Sequence, residues 1–331
     1  MFERKPDYFS KKNWQSLSLV PLSWLYRVFF LLFNVKVFQQ KKICKKTVCV
    51  GNIVCGGSGK TPICIALFKY FSSLNYKVCF VTKGYRRKTN NNIVVPKNHN
   101  SFYLNEEIGD EASFLCKYAD TFVVKHRGEA KCISYDIAIM DDGFFSKSIK
   151  KDCNIAVFDA EYFIGNDFVL PAGPLRYNLN AIKKADFIII TNTRDVYFLK
   201  CVEKLQKYIK KSNILQAKLI ITSKHNSKDN YFAFSGIGHN NKFLATLKSL
   251  KMNIVGINKF EDHCKYTQKQ IKKLHDNIMA SGAKRAITTS KDFVKLPQWF
   301  ITKFNVEVLR IGYEIKGIEK IDNFLKIDKD K

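Results

Sequence analysis

The chain has 331 residues, 46% of them hydrophobic and 14% aromatic, with 56 Lys and Arg against 29 Asp and Glu for a formal net charge of +27. That content of apolar and aromatic residues excludes a disordered chain, and 16 Gly with 7 Pro exclude collagen-like and low-complexity classes. The length suits one large domain or two ordinary ones. The positive charge points to phosphate, nucleic acid or an anionic membrane as partner, although a compositional surplus of surface lysine would produce the same total.

Along the chain, the first feature is LSWLYRVFFLLFNVKVF at residues 22–38, preceded by Pro21 and the basic pair Lys11 and Lys12. It starts too late for a signal peptide and no small-residue cleavage site follows it. It is shorter than the about 20 residues of a spanning helix and carries Arg27, Asn34 and Lys36. Trp24, Tyr26 and four Phe beside basic residues instead predict an amphipathic helix lying in a membrane interface, the alternative being a buried helix of the soluble domain.

From residue 46, short apolar runs alternate with helical stretches. KTVCV (46–50), KVCFVT (77–82), DIAIM (136–140), CNIAVF (153–158) and DFIIIT (186–191) have strand length and no polar alternation, as expected of parallel strands buried on both faces. Between the first two, Ile63, Leu67, Tyr70, Phe71 and Leu74 recur at helical spacing. After about residue 200 the pattern restarts with KLIIT (218–222), YFAFS (231–235), NIVGI (253–257), RAITT (285–289) and VEVLRI (306–311). A Lys-rich stretch, KLQKYIKKSN, separates the two series. Ten cysteines are scattered without a CxxC or a zinc-ligand spacing, which reads as a reduced chain without a disulfide framework.

The loop between the first strand and the first helix is GNIVCGGSGKTP, residues 51–62. Val54, Cys55, Gly56, Gly57, Ser58, Gly59, Lys60 and Thr61 form a candidate phosphate cradle: glycines turn the backbone so that N–H groups converge, and the helix N-terminus adds its dipole. Lys60 can reach the β- and γ-phosphates of ATP and the Thr61 hydroxyl can ligate Mg²⁺. A strict Walker A pattern would have Gly where Val54 stands. The expected acidic partner is Asp141 with Asp142, at the end of the apolar run in YDIAIMDDGF, a second pair of candidate metal ligands. The fold class is therefore α/β: a P-loop NTPase-type parallel sheet core, a second, smaller α/β domain and an N-terminal membrane-interface helix. We divide the chain into an N-terminal amphipathic membrane-associated segment (1–39), the P-loop core (40–212) and the smaller α/β domain (213–331), whose last strand is a candidate to return to the core.

Further motifs carry a resemblance. TKGYRRK (82–88), GDEASFL (109–115), DDGF (141–144) with FVLPAGPLR (168–176), SGIGHNNKFLATLK (235–248) and EDHCKYT (261–267) follow the phosphate loop in an order that resembles the tetraacyldisaccharide 4′-kinases of Gram-negative bacteria, from about residue 20 to about 296. The resemblance implies transfer of the ATP γ-phosphate to the 4′-hydroxyl of a tetraacyldisaccharide 1-phosphate, giving lipid IVA at the cytoplasmic face of the inner membrane, by a peripheral or monotopic enzyme. It implies Asp110 as general base, His263 as the residue that supports it, and Arg176 at the active site, with ATP and Mg²⁺ as cofactors. It also implies a glycolipid and an anionic membrane surface as partners, no nucleic acid, and a smaller domain delivering His263 across a cleft. A carboxylate beside an imidazole suits acceptance of a sugar hydroxyl's proton. Lys83, Arg86 and Arg87 either hold the substrate's 1-phosphate or are solvated charge, and SGIGH is either an anion site or a tight turn. The chain departs from the family pattern twice: Phe145 and Ser146 stand where Gln-His is usual, and Tyr177 stands where an acid commonly follows the Arg. The rival readings are a P-loop GTPase or ATPase switch, for which NTRD (192–195) lacks the expected Lys, a nucleic-acid-binding module, and a soluble sugar or nucleoside kinase.

Overall fold

Period-two alternation distributes each apolar run between two buried faces of one sheet. The computed structural model describes residues 6–33, 39–56, 58–84, 87–89, 91–97, 107–191, 195–237, 240–261 and 264–327, and of residues 30–33 the backbone alone. In β1 (Lys46–Gly51), Val48 and Val50 enter one cluster while Cys49 enters another. β2 (Val78–Thr82), β3 (Ile93–Val95), β4 (Thr121–Val123), β5 (Ile137–Asp141), β6 (Cys153–Asp159), β7 (Phe187–Thr191) and β8 (Ile214–Ile221) follow, and the chain end returns β13 (Ile311–Lys316). The order is β13-β8-β7-β6-β1-β5-β2-β4-β3. The pairs from β8 across to β4 are parallel and β3 closes the far edge antiparallel.

Helices cover both faces, which is why these strands read as uninterrupted apolar runs. Ile63, Leu67 and Phe71 of α3 (Lys60–Ser73) pack on one side with Ile321 and Leu325 of the last helix. Cys201, Val202 and Leu205 of α5 (Asp195–Leu205) pack on the other. Two N-terminal helices precede the sheet, α1 (Trp14–Ser18) and α2 (Val20–Phe33), and a short α4 (Asp110–Leu115) lies between them and α5 in the order of the chain. α2 begins with Pro21 in its first turn, where a missing N–H is harmless. All ten cysteines are free thiols.

The chain divides into two compact units, Pro6–Leu219 with Gly312–Lys331, and Ile220–Ile311. The division expected at 212/213 therefore falls at 219/220, because β8 begins at Ile214 and pairs with β7 before leaving the larger sheet. The run at 306–311 is not one strand: β12 (Glu307–Leu309) stays in the smaller unit and β13 starts at Ile311 in the larger sheet. The smaller unit holds a parallel four-stranded sheet in the order β10-β9-β11-β12, with β9 (Asn230–Ser235), β10 (Asn253–Lys259) and β11 (Arg285–Thr289). There Glu307 accepts hydrogen bonds from Arg285 at 2.7 Å and Tyr231 at 3.2 Å and pairs with His225 at 2.6 Å.

One close approach fixes the larger unit's functional edge. Gly51, the last residue of β1, packs against Phe144, and a Cβ there would stand 2.9 Å from the Phe144 nitrogen. Gly51→Ala must push the 141–144 turn away from the phosphate loop. We expect it to destabilise the fold by about 1–3 kcal/mol, an overpacking cost, seen as a lower thermal unfolding midpoint; an unchanged midpoint would show that the turn yields freely.

Candidate active site

The loop after β1 is shaped by its own side chains and by a second segment running beside it. Asn52 Oδ1 accepts the Val54 N–H at 2.9 Å, turning the chain as it leaves the strand. Val54 then forms an antiparallel bridge with Leu175, Cys55 N–H donates to Pro174 O at 2.8 Å, and Arg176 N–H donates to Ile53 O at 2.7 Å. This pairing explains the one mismatch with the Walker pattern: Val54 is a buried, strand-like residue, and glycine's freedom is not needed there. Positive φ is needed later, at Gly56 (102°) and at Gly59 (81°), which caps α3. Gly57 lies outside the described residues.

The charged side chains converge at the end of that loop. Thr61 Oγ1 donates to Asp141 Oδ2 at 2.9 Å. Lys60 Nζ lies 3.6 Å from Asp142 Oδ1, and Arg176 lies 3.6 Å from Asp142 Oδ2. Asp142 sits at φ 55°, a left-handed turn position that Asp tolerates, and Arg127 holds the turn by donating to the carbonyl oxygens of Asp142 at 2.8 Å and Asp141 at 3.4 Å. Lys151 Nζ also hydrogen-bonds to Phe144 O. Asp110 opens α4 in the same unit, half-buried, directly after Gly109. Lys83 borders the cavity next to Asp142, while Arg87 is committed to the carbonyl oxygens of Asn91 and Val123. His263 and Arg86 lie outside the described residues.

Among the described residues, three polar atoms here are buried without a hydrogen-bond partner: Ser58 Oγ, Asp141 Oδ1 and Arg127 Nε. Orphaned polar atoms each cost about 1–3 kcal/mol, so a cluster of them at a phosphate loop marks groups left for a ligand. A hydroxyl donor beside an unused carboxylate oxygen and the Thr61 hydroxyl fits a phosphate with a hard divalent cation. Burial raises the Asp141 carboxyl to about 6, and Glu111 adds to the rise while Lys60 opposes it. Burial likewise lowers Lys83, aided by Arg127.

A model of the family described as LpxK, tetraacyldisaccharide-1-P 4′-kinase, matches residues 15–327. The chain belongs to the tetraacyldisaccharide 4′-kinase family. The tetraacyldisaccharide 4′-kinase of Rickettsia canadensis is 34% identical over 296 residues, 88% of this chain and 87% of that protein. That of Rickettsia bellii is 33% identical over 299 residues, 88% and 89% of the two chains. A crystal structure of LpxK from Aquifex aeolicus in complex with ATP has the same fold, with a TM-score of 0.73 at 24% identity over 94% of this chain and 98% of that one.

Two residues of this kinase's site escape a reading of its sequence. Glu111, the second acid of GDE, acts on Asp141 electrostatically; the motif drew attention to its neighbour Asp110, and its place in the first turn of α4 gave it no role of its own. Arg127 had no motif at all.

The raised Asp141 pKa carries a stability consequence. The folded chain keeps that proton to about pH 6 and the unfolded chain loses it near pH 4, so the folded state binds more protons between them and stability falls as pH rises through that window. Asp141→Asn removes the penalty. In metal-free buffer it should raise stability by about 1–3 kcal/mol at pH 7.5 and by little at pH 4.5. Calorimetry showing an equal gain at both values would refute the burial argument.

Proposed function

We propose that this chain transfers the γ-phosphate of ATP to the 4′-hydroxyl of tetraacyldisaccharide 1-phosphate, giving lipid IVA. The observation that carries the reading is the convergence of Lys60, Thr61, Asp141, Asp142 and Arg176 on one loop within a family match covering nearly the whole chain. In this reading, backbone N–H groups of the loop and the α3 N-terminus hold the β- and γ-phosphates, and Lys60 and Arg176 add charge where it accumulates in transfer. Thr61, Asp141 and Asp142 would hold Mg²⁺, with Glu111 beside them. When bound, the ion neutralises charge on the phosphate oxygens and leaves the terminal phosphorus open to attack. Asp110 accepts the proton of the attacking hydroxyl, and His263 supports it. Lys83, raised as a candidate for the substrate's 1-phosphate, borders a cavity of about 510 Å³ that also meets Arg127 and Asp142.

The lipid substrate resides in a membrane, and α2 offers a surface for one. Among the described residues no helix is long and apolar enough to cross a membrane. The outer face of α2 exposes Trp24 (65%), Leu25 (65%), Val28 and Phe29 (62%) beside Arg27. Such a helix suits the interface of an anionic bilayer, which we place at the cytoplasmic face of the bacterial inner membrane.

Transfer of labelled γ-phosphate from ATP and Mg²⁺ to the purified lipid in detergent micelles tests the reading. We expect a phosphorylated lipid from the wild type and none from Lys60→Ala. Asp110→Asn should lower kcat by about 10²–10⁴-fold with ATP affinity retained; loss of ATP binding instead would show that Asp110 is misassigned. Lipid-independent hydrolysis of ATP or GTP without transfer would favour a switch. Separately, Leu25→Glu with Phe29→Glu should release the folded protein from anionic liposomes in sedimentation; continued pelleting would place the contact elsewhere.

A further inference from the structure

The cavity beyond Asp142 has a mixed lining. Its cations are Lys41, Lys83, Arg127, Lys147 and Arg176, which outnumber the acids Glu129 and Asp142. Aromatic rings line it as well. Phe145 and Tyr177 lie face to face, ring centroids 3.4 Å apart and planes inclined by 21°, and Phe144 meets Phe145 edge-on at 4.8 Å. Phe145 directly follows the Asp-Asp-Gly-Phe turn and Tyr177 directly follows Arg176, so the two departures from the family pattern meet in space as one feature. The pair is anchored on both sides, through the turn packed on Gly51 and through the segment bridged to Val54.

A ligand complementary to this cavity has an anionic group for the cations and a flat, apolar face for the rings. A phosphorylated pyranose has both: C–H groups on one face, hydroxyls at the rim, and a phosphate. A nucleotide base also stacks on aromatic rings, but the cavity's position argues against it. Lys60, whose amine marks the β- and γ-phosphate end of a nucleotide, points to Asp142, and Asp142 lines the cavity. The space therefore opens at the terminal phosphate, where the acceptor must stand, and the base lies at the opposite end of the nucleotide. Tyr26 of α2 lies within electrostatic reach of Tyr177, Cys55 and Arg176, so the aromatic pair is near the helix proposed above to meet the lipid surface.

We propose that the Phe145–Tyr177 pair is the seat of the acceptor sugar, taking the apolar face of its phosphorylated pyranose ring; this rests on the reading of the chain as a kinase of a phosphorylated disaccharide lipid. The pair sets acceptor affinity and orientation and leaves the nucleotide site alone.

The test is the Michaelis constant for each substrate in the full chain, measured in mixed micelles. Phe145→Leu and Tyr177→Leu keep apolar volume and remove a ring face, while Tyr177→Phe keeps the ring. We expect each Leu variant to raise the acceptor KM about tenfold, the size of one aromatic contact, with the ATP KM unchanged. Tyr177→Phe should stay within about twofold of the wild type, as expected when ring stacking, rather than the hydroxyl, supplies the contact. The unchanged ATP KM also reports that each variant is folded. A rise in the ATP KM instead would put the pair under the nucleotide base and overturn the proposal. Wild-type acceptor KM in both Leu variants, or a Tyr177→Phe effect as large as Tyr177→Leu, would overturn it too. A wild-type chain that transfers nothing to the lipid overturns the kinase reading and this seat together, whereas transfer with indifferent variants overturns the seat alone.

Discussion

Asp141 ends β5 with only 4% of its surface exposed, one carboxylate oxygen bonded to Thr61 and the other without a partner among the described residues. A buried acid in that state is unfavourable, and the structure around it makes sense as the means of holding it there. β5 lies next to β1, so the acid arrives beside the loop that β1 feeds, at the carboxyl edge where ligands gather in open α/β sheets. Lys60 and Thr61, at the start of α3, stabilise its charged form only in part, because burial and Glu111 still win. The remaining deficit is what a cation would offset, so the site's geometry is set by a charge the protein alone leaves uncompensated.

The second constraint is backbone rather than charge. A phosphate loop is usually anchored by its flanking strand and helix alone. Here residues 53–55 are also paired to 174–176 by the two hydrogen bonds of one antiparallel bridge. That pairing fixes the backbone from which the Arg176 guanidinium reaches Asp142, and it leaves Tyr177 stacked on Phe145. Ser23 of α2 ties into the same segment, donating to Val169 O at 2.8 Å and accepting from Ala172 N–H at 3.1 Å. Phosphate loop, Arg176, aromatic pair and N-terminal helix thus share one splint, and a change in any of them has a short path to the others.

Most of this was legible in the sequence where a physical signal was strong and local. The buried parallel strands announced themselves as apolar runs because both faces of the sheet are covered, and the phosphate loop announced itself by glycines before a Lys-Thr helix start. Three-residue strands such as β3 and β4 are too short to show any period, and they were missed. The run at 306–311 read as one strand because apolar pattern does not encode which sheet a residue joins; the break at Arg310 sends its halves to different sheets. Glu111 and Arg127 were invisible for a different reason, since they act through tertiary proximity to Asp141 and Asp142. Phe145 and Tyr177 stood out singly as departures, and only the fold reveals that they are partners.

The attachment of α2 decides how a lipid surface can take it. Its described 14 residues rise about 21 Å, short of a hydrocarbon core of about 30 Å. Length alone allows a tilted or partial insertion, but Ser23 is buried in two hydrogen bonds to the 169–172 segment, and Tyr26 on the next turn packs, half-buried, against the core that α5 covers. Sinking the helix into hydrocarbon would strip those bonds and leave buried polar groups unpaired, each at about 1–3 kcal/mol. The exposed Trp24, Leu25, Val28 and Phe29 can meet acyl chains only with the inner face still attached to the protein. A bilayer that takes this helix takes it lying flat, its outer face in the lipid and its inner face still on the protein.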